Sequence, residues 1–121
     1  MLTIRAEQMR AFEAHLMRQF EDRVVAKLTK TFPERFKAED KEQTRAFVQA
    51  GVRKAAPFGI TEDDDAEAFI LLLAVHGMEF EKPPERAECR AILQDKELAG
   101  DAKVSLIRRE LNPKARNAAK S

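Results

Sequence analysis

Apolar positions along this chain recur at helical spacing, and nowhere do they alternate as a half-buried strand requires. Between Thr3, a suitable N-cap, and Thr31, the residues Phe12, Leu16, Phe20, Val24 and Leu28 fall every four positions. Met9, Met17 and Val25 widen this row into a stripe, which predicts a first helix, either straight or broken near His15. Thr31-Phe-Pro33 ends it, because proline lacks an N–H and drives its predecessor out of the α region. Pro33 to Phe36 reads as a short helical turn. Asp40-Lys-Glu-Gln43 reads as a capping box, opening a second helix that carries Ala46, Phe47, Gly51, Val52 and Ala55 inward and stops before Pro57. A helix-interior glycine costs about 1 kcal/mol relative to alanine, so Gly51 predicts a close helix crossing.

Phe58-Gly59-Ile60 is a tight connection to a third helix capped at Thr61. Glu62, Asp63, Asp64 and Asp65 fill its first turn, where the helix dipole favours anions. From Ala66 through Phe69, Ile70, Leu71, Leu72, Leu73 and Val75 this helix is apolar nearly all round, the mark of a central element, and Gly77 is its natural stop. Met78 to Pro84 is a proline-stiffened loop. Glu85 to Gln94 predicts a fourth helix with Cys89, Ile92 and Leu93 on one face. Asp101 caps a fifth that carries Val104, Ile107 and Leu111 to the stop at Asn112-Pro113. The expected architecture is all-α, a single-domain orthogonal bundle of about five helices around a central apolar helix, with 1–112 folded and 113–121 a flexible tail.

Composition narrows the function classes. The 121 residues suffice for one domain with one core. Lys and Arg number 22 against 21 Asp and Glu, so no global field draws the chain to nucleic acid or an anionic membrane. The longest apolar run, Ala68 to Val75, is far short of the ~20 residues that span a bilayer. The N-terminal stretch has no signal-peptide core, and the single Cys89 allows no internal disulfide; together they predict a cytoplasmic protein.

Each candidate site has a plainer reading. The acids at 62–65 are consecutive and diverge around a helix, whereas a calcium loop needs spaced oxygens and a turn glycine. His15 and His76 have no Cys or His partner at zinc-ligand spacing, and His76 suits a helix C-terminus, where a partly charged imidazole is favoured. Cys89 lies in an ordinary amphipathic helix with nothing local to form an oxyanion hole. The glycines are scattered singly, so there is no phosphate loop. Gly59 joins two helices as in a helix-turn-helix, but the helix that follows begins with acids, the opposite of what must face phosphates. These residues predict no enzyme, no metal and no cofactor, and make nucleic acid a poor partner. What remains is protein binding. Phe32, Phe36, Phe58, Met78 and Phe80 lie at helix ends or in loops, where they either plug the core or form an exposed apolar patch with a charged rim.

Five stretches carry a family resemblance: Leu28-Thr-Lys-Thr-Phe-Pro-Glu-Arg35, Gly51-Val-Arg-Lys-Ala-Ala-Pro-Phe-Gly-Ile-Thr61, Ala66-Glu-Ala-Phe-Ile-Leu71, Gly77-Met-Glu-Phe80 and Ala91-Ile-Leu-Gln-Asp95. In this order they resemble a family of small helical proteins associated with bacterial type VI secretion effector cassettes, over about residues 5 to 112. The resemblance implies a helical fold and a role as an adaptor or co-chaperone in loading a secretion effector, with the effector, a spike tip or another adaptor as partner. Its alternative implication is an immunity protein that blocks a cognate toxin. A nucleic-acid-associated regulator is a second alternative, for which a basic stripe on one face would be needed. The resemblance brings no catalytic residues.

Overall fold

The computed structural model describes residues 6–112, so the cap at Thr3, the stop at Pro113 and the tail at 113–121 lie outside the described residues. Its elements are helices: α1 (Ala6–Thr31), α2 (Lys41–Ala55), α3 (Asp63–His76), α4 (Ala87–Gln94) and α5 (Gly100–Leu111), with single 3-10 turns at Ala38–Asp40, Ala56–Phe58 and Pro84–Arg86. Among the described residues there is no strand. The chain forms two compact units that divide within α2, after Gln49.

In the first unit, α1 is one unbroken helix of 26 residues, with no break at His15. Its stripe does not have a single fate. Phe20, Val24, Val25 and Leu28 are buried, whereas Met9, Phe12, Leu16 and Met17 are exposed. After α1 the backbone N–H of Phe36 donates to the carbonyl of Phe32 at 2.9 Å, closing the short turn at Pro33. That turn brings the Phe36 ring to 5.1 Å from the Phe47 ring, with the Arg35 guanidinium over both. The inward face of this part of α2 is Thr44 and Val48 rather than Ala46, which is exposed, and Phe47, which is half-buried. Thr44 is the polar member of that face; its hydroxyl lies 3.4 Å from the Asp40 carbonyl. A charged network joins the two helices: the Arg45 guanidinium donates to Glu21 at 2.9 Å and also to Asp22, while the Gln49 amide donates to Glu21. Glu21 is buried, so these donors supply the compensation that a carboxylate out of water requires.

In the second unit the expected close crossing at Gly51 is present. A Cβ there would stand 2.7 Å from Cγ1 of Ile70, so only glycine lets α2 approach α3 this closely. Helix α3 starts one residue later than its sequence suggests, with Glu62 rather than Thr61 as N-cap. It buries Ala66, Phe69, Ile70, Leu72, Leu73 and Ala74. Leu71 is only half-buried and Val75 is 59% exposed, so the helix is not covered on every side. It ends as expected at Gly77, whose φ of 102° suits glycine and whose N–H donates to the Leu73 carbonyl at 2.8 Å. Helix α5 begins at Gly100 rather than at Asp101 and packs on α3 and α4. Its first residue passes so close to the Gly59 carbonyl that a Cβ would come within 2.6 Å of that oxygen.

Val104, Ile107 and Leu111 are buried along α5, as their spacing predicts, and so is Lys103. The Lys103 ammonium donates to the carbonyls of Phe58 and Leu93, at 2.9 and 2.7 Å. Both carbonyls end short helices, where a cation is favoured and where the last oxygens otherwise lack partners.

Candidate functional site

The five aromatic and methionine residues at helix ends do not make one exposed patch. Phe36 and Phe80 are buried. Phe32, Phe58 and Met78 are half-buried. Phe80 turns inward because its loop is held from two directions. The Lys54 ammonium donates to both Glu81 carboxylate oxygens, at 2.7 and 2.9 Å, and to the Met78 carbonyl. Arg90 donates to the carbonyls of Glu81, Lys82 and Pro83, at 2.7, 3.1 and 2.9 Å. Thus fixed, the Phe80 ring meets the Phe69 ring edge-on at 6.1 Å, with the Lys54 ammonium 5.7 Å from its centre. For Phe36 and Phe80 the structure therefore selects the core-plugging reading over the patch.

The apolar surface lies elsewhere, on the N-terminal half of α1. Met9, Phe12, Leu16 and Met17 are 41%, 58%, 47% and 42% exposed, and they stand on consecutive turns of one helix. At 100° per residue their side chains leave the axis within an arc of roughly 140°. Single exposed apolar residues such as Val75 and Leu106 are ordinary. Four within one arc of a helix, interrupted only by Glu13 between Met9 and Met17, are not. Sequence reasoning saw the row and its periodicity, yet periodicity carries no information about which turns of a long helix have a neighbour. No local signal separates the two halves: charges such as Glu7, Arg10, Glu13 and Arg18 flank the exposed turns just as Glu21, Asp22, Arg23 and Lys27 flank the buried ones.

The residues weighed for chemistry are differently placed. Cys89 is fully buried, and burial pushes its thiol pKa up, which keeps it protonated and unreactive. His76 ends α3, where a charged imidazole was expected. Instead its pKa is lowered, first by burial and then by the positive charge of Arg86. His15 is exposed on α1. Among the described residues no three His, Cys, Asp or Glu side chains are grouped to hold a metal ion. An open cleft in the first unit is lined by Asp22, Val25, Ala26, Thr29, Lys30, Lys41 and Arg45. Its Arg45 is already occupied by Glu21 and Asp22. Among the described residues no helix is long and apolar enough to cross a membrane.

Comparison of the chain with protein-family models, with curated proteins and with solved structures finds no match.

Proposed function

We propose that this chain is a non-enzymatic, protein-binding accessory that docks through the first half of α1. The observation that carries the reading is the row Met9, Phe12, Leu16 and Met17, open to solvent on a helix otherwise dressed in charges. Residues at i, i+3, i+7 and i+8 are the anchors by which an amphipathic helix enters an apolar groove of another protein. Burying them stabilises a complex by removing apolar surface from water, and the charges around them set orientation. The resemblance of residues 5–112 supplies the biological setting: loading of a type VI secretion effector, with the effector, a spike tip or another adaptor as the partner.

The test uses tagged full-length chain expressed in its native host, as wild type and as Phe12→Glu, with co-purifying proteins identified by mass. Phe12 is more exposed than buried, so the substitution leaves the fold intact, while a carboxylate in an apolar groove is strongly disfavoured. The wild type is expected to retain a spike, adaptor or effector that the variant loses. Retention of the same partner by both proteins would refute docking through α1. A lone toxin as the retained protein would replace effector loading with immunity.

A further inference from the structure

We infer that, in the absence of another partner, a second copy of this chain covers the exposed row by antiparallel pairing of the two α1 helices. This rests on the reading of that row as a docking face and names one occupant for it. The argument is one of self-complementarity. Residues 7–19 carry Glu7 and Glu13 against Arg10 and Arg18, so two copies meet without net repulsion. Arg10 and Glu13 stand three residues apart on the Met17 side of the row, Glu13 between Met9 and Met17 around the helix and Arg10 just beyond Met17, whereas Gln8 and His15 lie on the opposite flank, beside Phe12. In a two-fold antiparallel pair each flank faces its own counterpart. With Phe12 near the two-fold axis, Met9 lies opposite the second copy's Leu16, and Arg10 comes within a turn of the second copy's Glu13. Two such Arg–Glu pairs then lie along the Met17 side of the interface. A parallel pair sets opposite flanks together, leaving Glu13 against the glutamine and histidine flank and Arg10 without a carboxylate.

Four exposed apolar side chains per copy make an interface smaller than the roughly 1,200 Å² of a stable complex, so the pairing is weak and reversible. That suits a face that exchanges one occupant for another.

Sedimentation velocity of the full chain, from low micromolar to submillimolar concentration, tests the inference. The wild type is expected to shift from monomer to dimer as concentration rises, and Phe12→Glu to stay monomeric with an unchanged unfolding midpoint. Arg10→Glu and Glu13→Arg each place like charges together and are expected to weaken the dimer about threefold or more. The double variant R10E/E13R recreates the pairs and is expected to recover wild-type association, which loss of folding could not mimic. A wild type that stays monomeric throughout, or a double variant as weak as the single ones, overturns the inference. If the chain is monomeric yet Phe12→Glu still loses its native partner, the docking reading survives without self-pairing. If the chain dimerises through Phe12 but captures its partner regardless, self-pairing survives and the docking reading falls.

Discussion

At the scale of single residues, two glycines show opposing effects whose magnitudes decide the outcome. Alanine at Gly51 gains about 1 kcal/mol in helix propensity. It also drives a methyl to 2.7 Å from Cγ1 of Ile70, a fully buried side chain. Overpacking of this kind costs about 1–3 kcal/mol, so Gly51→Ala is expected to destabilise, read as a lower midpoint in chemical denaturation. Gly100→Ala should cost more, because its methyl meets backbone, the Gly59 carbonyl at 2.6 Å and the Ile60 Cα at 3.1 Å. A gain in stability at Gly51 would show that α2 and α3 can separate freely. The need for a crossing at Gly51 was legible in the sequence, since a helix-interior glycine has few other uses. The role of Gly100 was not, because a glycine beside aspartate reads as a residue that precedes a cap.

His76 gives a second prediction at this scale. Its folded pKa lies below the ordinary value of about 6.5. Near and below that pH the unfolded chain therefore binds more protons at this position than the folded one. Stability is complete above about pH 6.5 and is lost as pH falls through the folded pKa. His76→Gln is expected to flatten the fall in thermal midpoint between neutral and mildly acid pH. An unchanged profile would mean that other groups cause the fall.

At the scale of elements, the segment from Gly77 to Pro83 is held by cations in addition to two turn hydrogen bonds of its own, from Phe80 N–H to the Gly77 carbonyl and from Lys82 N–H to the Glu79 carbonyl. Arg90 binds three successive carbonyls from α4, and Lys54 grips Glu81 and the Met78 carbonyl from α2. Charge-assisted bonds of this kind are stronger than neutral ones. Replacing Arg90 by methionine keeps the stem and removes the donors. The expected result is faster amide exchange in residues 79–83, with exchange in the buried turns of α3 and α5 changing much less. Uniform acceleration throughout the second unit would instead make Arg90 a global support. The sequence shows a proline-stiffened loop here and nothing more, because the partners of Arg90 are carbonyls, which every residue has. The same blindness applies to Lys103, whose charge argues for the surface until two helix-ending carbonyls are found beside it. By contrast α4 and α5 were legible in outline: Cys89, Leu93, Val104, Ile107 and Leu111 are buried at the spacing the sequence gives them. Their starts shifted by a residue or two, since Pro84–Arg86 winds as a 3-10 turn and α5 begins at Gly100.

At the scale of the whole molecule, the all-helical class follows from periodicity alone, because apolar residues at 3.6-residue spacing find no buried face in a sheet. The candidate site did not follow. Aromatic residues near turns were natural candidates for an exposed patch, yet Phe36 and Phe80 turn inward under the pull of neighbouring rings and cations. The exposed apolar row lies instead in the most regular element of the chain, where the pattern looks the same over its covered and uncovered turns. What separates the two is the presence of a neighbour, and one sequence does not contain that information.

That row also supplies its own probe. Met9 and Met17 belong to it, whereas Met78 is half-buried in the second unit. Peroxide converts accessible methionine to its sulfoxide, and peptide mass reports each position separately. In the dilute free chain, Met9 and Met17 should oxidise readily. In the complex isolated from the native host both should be protected, with Met78 oxidising as it does in the free chain. Equal oxidation of Met9 and Met17 in free and bound chain would contradict docking through α1.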